Sequence, residues 1–211
     1  MMAGQRSRYA RQVFINCPFD GEYLPLMRAI VFVLKACDYV PRCALEADSA
    51  TEVRVEKILR IINECGLSIH DISRTQPDRK SKLPRFNMPF ELGLFMGAAK
   101  LGGARQRQKG ALILDVEPYR YQKFLSDIAG QDIRAHRNDP AAAIGAVREW
   151  LNTHHSQNQP LPGKTALGTL YKRFQKRLPV MLKDLQLKES EIPFVDRSKL
   201  IGIWLETAAK A

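Results

Sequence analysis

The residues best suited to chemistry lie between Leu83 and Ala99, in the stretch LPRFNMPFELGLFMGAA. A single carboxylate, Glu91, stands in an otherwise apolar run, with Arg85 and Asn87 just ahead of it. Pro89 suits the first turn of a helix, where its missing N–H costs nothing. The spacing therefore predicts Glu91 in that first turn, beside unpaired backbone N–H groups. Such a site favours an ionised carboxylate, by about 0.3–1 kcal/mol, a benefit that serves stability as well as function. Leu92, Phe95, Met96 and Ala99 recur at helical spacing, and Gly93 and Gly97 lie one turn apart, so the helix is expected to be buried and to press closely on a sheet.

Other polar side chains fall in loops. Asn16 and Asp20 flank the turn Pro18-Phe19-Asp20-Gly21, Arg42, Glu46 and Asp48 close a short apolar segment, and Asp71 and Arg74 end another. Several chemistries are excluded. His70 adjoins Asp71, but strand alternation sends neighbours to opposite faces, so the two do not form a catalytic pair. Ser73 lacks the small flanking residues of a nucleophile elbow. Neither a GxGxxG nor a GxxxxGK[ST] phosphate loop is present, which sets aside a Rossmann dehydrogenase and a P-loop nucleotidase. The four cysteines, Cys17, Cys37, Cys43 and Cys65, form no CxxC pair. Buried reduced thiols are expected rather than a metal centre.

The elements that must position these residues alternate. Gln12 to Cys17 (QVFINC) reads as a buried strand, Leu24 to Ala36 as a helix, and Val40 to Leu45 as a short strand. Thr51 to Cys65 carries Val55, Ile58, Leu59 and Ile62 on one helical face, and Gly66 stops it. Strand GLSIHDIS follows, then the polar loop Thr75 to Lys82, the Glu91 helix, a strand at Ala111 to Asp115, a fifth short strand within Gly130 to Ala135, and a helix from Pro140 to Leu151. Strand and helix in alternation predict an α/β fold, a flavodoxin-like doubly wound parallel sheet of about five strands. In such a sheet Glu91 stands over the carboxyl edge, where these folds bind ligands.

The chain's 211 residues are enough for one well-buried domain and a small appendage. The polar, proline-bearing segment His154 to Gly163 marks the expected boundary, leaving an α/β domain over 1–154 and a basic helical appendage over 155–211, with few contacts across it. Two helices are expected in the appendage, about Ala166 to Leu185 and Ser198 to Ala209. Hydrophobic residues at 45% and charged residues at 26% are ordinary for a soluble globular protein. The start, MMAGQRSRYARQ, is polar and basic, and no apolar run reaches about 18 residues, so a cytoplasmic protein without a membrane span is expected. The net charge of +11 permits binding of nucleotides, phosphorylated ligands or nucleic acid without choosing among them. A solvated face accounts more simply for the basic appendage than nucleic acid does.

The order VFINCPFD, LSIHDISR, a polar loop, FELGLFMGAA and ALILD resembles the superfamily that joins bacterial TIR-like domains with nucleoside 2-deoxyribosyltransferases. The transferases carry a Glu-x-Gly-x-Ala helix whose Glu attacks the anomeric carbon, and TIR enzymes use a helical Glu to break the nicotinamide–ribose bond of NAD. Glu91-Leu92-Gly93-Leu94-Phe95 matches the Glu-x-Gly part, with Phe95 in place of the small residue. The transferases' acidic loop before the helix is matched only in part: Asp71 is there, but Arg85 and Asn87 stand where an Asp-rich segment is expected, a departure that bears on deoxyribosyl transfer.

The resemblance implies an N-glycosidic bond hydrolase acting on NAD or a related nucleotide, in antiviral defence or toxicity, with Glu91 catalytic and no cofactor beyond that substrate. One carboxylate suffices for an oxocarbenium-like transition state. Arg42, Arg74 or Arg85 would hold a phosphate and Asn16 or Asn87 a ribose hydroxyl or base edge, with Asp20, Glu46 and Asp71 beside them as further substrate-binding groups. The alternatives are a non-catalytic module that binds a nucleotide signal or a TIR-like partner, in a homo-oligomer or with another chain, and a nucleoside deoxyribosyltransferase. The polar loop Thr75 to Lys82 spans the crevice and is expected to act either as a lid over it or as a passive surface loop.

Overall fold

The structure is a computed structural model that describes residues 8–46, 51–77, 82–155 and 160–208. Strands β1 (Gln12–Asn16), β2 (Val40–Arg42), β3 (Leu67–Asp71), β4 (Gly110–Asp115) and β5 (Ile133–Ala135) form one sheet in the order β2-β1-β3-β4-β5, every neighbouring pair parallel. Val13 pairs with Leu67, Leu67 with Gly110, and Ile113 with Ile133. This is the flavodoxin-like order, and its chain direction switches between β1 and β3. Helices α1 (Leu24–Ala36), α2 (Arg54–Glu64), α3 (Asn87–Leu101) and α4 (Pro140–His154) cover the sheet, and α5 (Lys164–Asp184) and α6 (Phe194–Ala208) follow. The start of α4 is set locally: Pro140 opens it, and the Asp139 carboxylate accepts the N–H groups of Ala141 and Ala142 at 2.9 and 3.2 Å.

Alternation along the strands sorts side chains between two layers. Val13, Ile15, Leu67, Ile69, Leu112 and Leu114 face α1 and α4, whereas Phe14 faces α2 and α3 and packs with Ile58, Ile61, Ile62 and Phe95. Helix α3 presents Met88, Glu91, Leu92 and Phe95 inward, a stripe at i, i+3, i+4 and i+7. The expectation of a buried α3 pressed on the sheet through its glycines is corrected. Phe90 and Leu101 are exposed, and a Cβ added at Gly93 or Gly97 would meet nothing within 4 Å. The glycines lie away from the sheet.

The tail does not stand apart. Helix α1 is buried from Leu26 to Leu34 except at Arg28, because α5 and α6 cover the side that the sheet leaves open. The ring of Phe32 lies 5.2 Å from that of Tyr171, 5.6 Å from Phe174 and 6.1 Å from Trp204. These aromatics belong to the same core as Val13 and Ile15 of β1. Residues 155–163 do separate two runs of sequence, but the expectation of few contacts across them is not met. An all-round apolar helix such as α1 needs cover on every side. Among the described residues no helix is long and apolar enough to cross a membrane.

Candidate functional site

A cleft of about 690 Å³ opens at the carboxyl ends of β1 and β3, where the sheet order switches. The β1 loop contributes Asp20, Gly21 and Glu22, the segment after β3 contributes Arg74, Gln76 and Pro77, and the starts of α2 and α3 contribute Arg54, Asn87 and Met88, with Arg85 just before α3. Four residues expected from sequence thus come together: Asp20, Arg74, Arg85 and Asn87. The Arg74 guanidinium is already engaged, its Nη2 lying 3.0 Å from Asp20 and 2.8 Å from Glu22. Arg54 and Arg85 carry no ion pair among the described residues and are the cations available to an anionic ligand. Arg54 was not anticipated. Its helix was expected to begin at Thr51, which would have placed it a turn inside rather than at the exposed end.

Glu91 lies on α3 one turn beyond Asn87 and Met88 and does not itself line the cleft. Because α3 begins at Asn87, Glu91 falls in the second turn, where its backbone N–H is spent on the helix, so the first-turn dipole argument does not apply. Its side chain is only 4% exposed and has no hydrogen-bond partner among the described residues. Burial raises its pKa to about 7, and the nearby positive charge of Arg54 offsets only part of that rise. The direction is opposite to the ionised state expected from sequence. The carboxyl is held between its two protonation states near neutrality, as suits a group that exchanges protons or charge in a reaction.

The remaining expected residues have structural partners instead. The Arg42 guanidinium donates from Nε to Glu46 Oε2 and from Nη2 to Glu46 Oε1, both at 2.6 Å, reaches Glu64 at 2.9 Å and also donates to Gln12. Arg42 and Glu46 therefore satisfy each other at the β2 edge, away from the cleft lining. Asp48 and residues 78–81 of the expected lid lie outside the described residues; Gln76 and Pro77 do line the cleft. Asn16 is buried beneath the cleft, donating to the Met88 carbonyl at 2.8 Å with His70 Nδ1 at 3.0 Å. That bond ties the end of β1 to the first turn of α3.

Asp71 is fully buried and forms the centre of a network that the sequence did not disclose. Its Oδ2 accepts the Tyr23 hydroxyl at 2.6 Å and lies 3.0 Å from His136 Nε2, while its Oδ1 accepts the Ser73 N–H at 2.9 Å. His136 Nδ1 accepts the Asn138 N–H at 3.0 Å, and its Nε2 is on the Asp71 side of the ring. The His70–Asp71 exclusion holds in geometry. His70 packs between Phe14 and Phe95 on the α3 face, and Asp71 points to the α1 face, where a different histidine meets it. Beside it the Arg120 guanidinium joins Asp115 to the Ser73 carbonyl, at 2.8 Å, and to the Thr75 hydroxyl, at 2.7 Å. Asp71 and Arg120 together fix residues 72–75, and so the backbone that carries Arg74. Direct binding of substrate by Asp71, Asn16, Arg42 or Glu46 does not fit this placement.

All four cysteines are buried; burial and neighbouring carboxylates hold the Cys17 thiol well above its usual pKa, and burial pushes Cys43 and Cys65 up to about 12. None is a nucleophile at neutral pH. Compared with protein-family models, curated proteins and solved structures, the chain matches none of them.

Proposed function

We propose that this protein is an N-glycosidic bond hydrolase of the TIR-like kind, acting on NAD or a related nucleotide, with Glu91 as the carboxylate that meets charge developing at the anomeric carbon. The observation that carries the reading is Glu91 itself: a buried carboxyl without a hydrogen-bond partner among the described residues, its pKa raised to about 7, one helical turn from a cleft at the switch point. An unpaired buried carboxylate is costly to keep for stability alone. In an oxocarbenium-like transition state that same carboxylate gains the counter-charge it lacks at rest. Arg54 and Arg85, without an ion pair among the described residues, supply guanidinium groups for a phosphate or pyrophosphate, and Asn87 supplies an amide for a ribose hydroxyl or a base edge.

A second reading rests on the cleft lining. Glu91 is absent from it, and Met88 and Asn87 stand closer to the opening, as in a module that binds a nucleotide signal or a TIR-like partner without turning it over. Incubation with NAD and a panel of nucleotides separates the two. Release of nicotinamide or a free base supports hydrolysis, and saturable binding without release supports the module. Exchange of the base for an added second base would instead make the protein a transferase.

A further inference from the structure

On the α1 side of the sheet a second cavity, of about 550 Å³, lies between α1 and the segment that leads into α6. Its apolar wall includes Met27, Val31, Leu45, Ile192 and Phe194, and its charged side is formed by Arg28, Arg197 and Glu189. Two guanidinium groups share one carboxylate oxygen there: Arg28 Nη1 lies 2.9 Å and Arg197 Nη2 lies 3.4 Å from Glu189 Oε1. Among the described residues Arg28 Nε is buried without a hydrogen-bond partner, and Arg197 is only 8% exposed. The same three residues also line a smaller cavity of about 110 Å³ against Tyr171 and Phe174.

One positive charge is therefore left uncompensated where solvent cannot fully screen it. Burial and the neighbouring Arg28 charge lower the pKa of Arg197 from its usual value, a sign that this charge is poorly accommodated. A guanidinium offers five N–H donors in a planar fork, and among the described residues the buried Arg28 Nε has no acceptor. What would satisfy them is an anion that arrives with an apolar body, since the rest of the cavity has little else to bind it.

We infer that this cavity is a binding site for a small amphiphile with one anionic head, a carboxylate or a phosphate monoester, held between Arg28 and Arg197, and an apolar tail along Met27, Val31, Leu45 and Phe194. The site is separate from the Glu91 cleft and does not depend on the reaction proposed there.

Calorimetric titration of the full chain, without NAD, tests it with octanoate, octyl phosphate, octanol and acetate as probes. Saturable binding of octanoate or octyl phosphate is expected, with octanol weaker by about tenfold or more for want of charge-assisted hydrogen bonds and acetate weaker by about tenfold or more for want of an apolar tail. Preference between the two anionic probes tells which head the site takes. Arg28→Gln removes half of the guanidinium pair, and Leu45→Trp, at an exposed position, fills the tail region while leaving both arginines in place. Each is expected to weaken the favoured probe by about tenfold with the melting temperature of the free protein preserved. Failure of both anionic probes to bind, equal binding of octanol, or undiminished binding in both variants would overturn the proposal.

Discussion

Glu91 sets the sign of a measurable pH effect. Its pKa rises from an ordinary 4.5 to about 7 on folding, so the folded protein holds this proton to higher pH than the unfolded chain. The corresponding stability is full below pH about 4.5, is lost as pH rises, and is gone above about pH 7. At about 1.4 kcal/mol per unit the swing is on the order of 3 kcal/mol. Replacing Glu91 with Gln removes the charge and keeps the shape, so Glu91→Gln is expected to be more stable than the wild type by about 1–3 kcal/mol at pH 8 and equal to it near pH 4, read from denaturant midpoints. A variant equally or less stable at pH 8 would mean that the carboxylate has found a partner. Asp71 behaves differently. Asp71→Asn leaves the Tyr23 hydroxyl and the Ser73 N–H with a weaker acceptor and is expected to destabilise by about 1–3 kcal/mol, read from denaturant midpoints, with ligand affinity falling as residues 72–75, which carry Arg74, loosen.

At the scale of elements, the sequence disclosed most of the frame and little of the wiring. The strands QVFIN and LSIHD and the helix Leu24–Ala36 were legible because continuous β-branched and aromatic runs and the 3.6-residue period are strong signals. The start of α3 was misjudged. Pro89 was read as marking the first turn, but the helix begins at Asn87, which removes the first-turn argument for Glu91; the burial that raises its pKa comes from tertiary packing and has no local signal in the sequence. The Asp71–His136–Tyr23 network joins residues far apart in sequence, and no local spacing encodes it. The cover on α1 was encoded: Ile30, Val31, Phe32, Val33 and Leu34 in succession cannot all face one sheet. Arg54 at the start of α2 and Arg85 just before α3 are the cleft cations without an ion pair among the described residues. Replacing Arg54 and Arg85 together with Ala is expected to weaken phosphate-bearing nucleotides about tenfold or more while leaving bare nucleosides nearly unaffected, because charge-assisted bonds are lost only with the former. Equal weakening of both ligand types would remove the phosphate role.

For the whole molecule, the shared core decides what the C-terminal helices do. A chain ending before Lys164 would leave Phe32 and the outer side of α1 uncovered, so the truncated protein is expected to be insoluble or molten, with near-ultraviolet dichroism lost. Phe174→Ala in the full chain should destabilise it by about 3–5 kcal/mol, as a large core aromatic does. A soluble, cooperatively unfolding fragment would show the sheet domain to be self-sufficient. The proposed hydrolysis depends on Glu91 acting as an ionised carboxylate next to the switch-point cleft. Its most direct measurement is the rate of nicotinamide release from NAD by the full chain and by Glu91→Gln, from about pH 5 to 9. The expected result is a wild-type rate that climbs through an apparent pKa near 7 to a plateau, with no release by the variant at any pH. Release by Glu91→Gln at the wild-type rate, or no release by either protein, would contradict it.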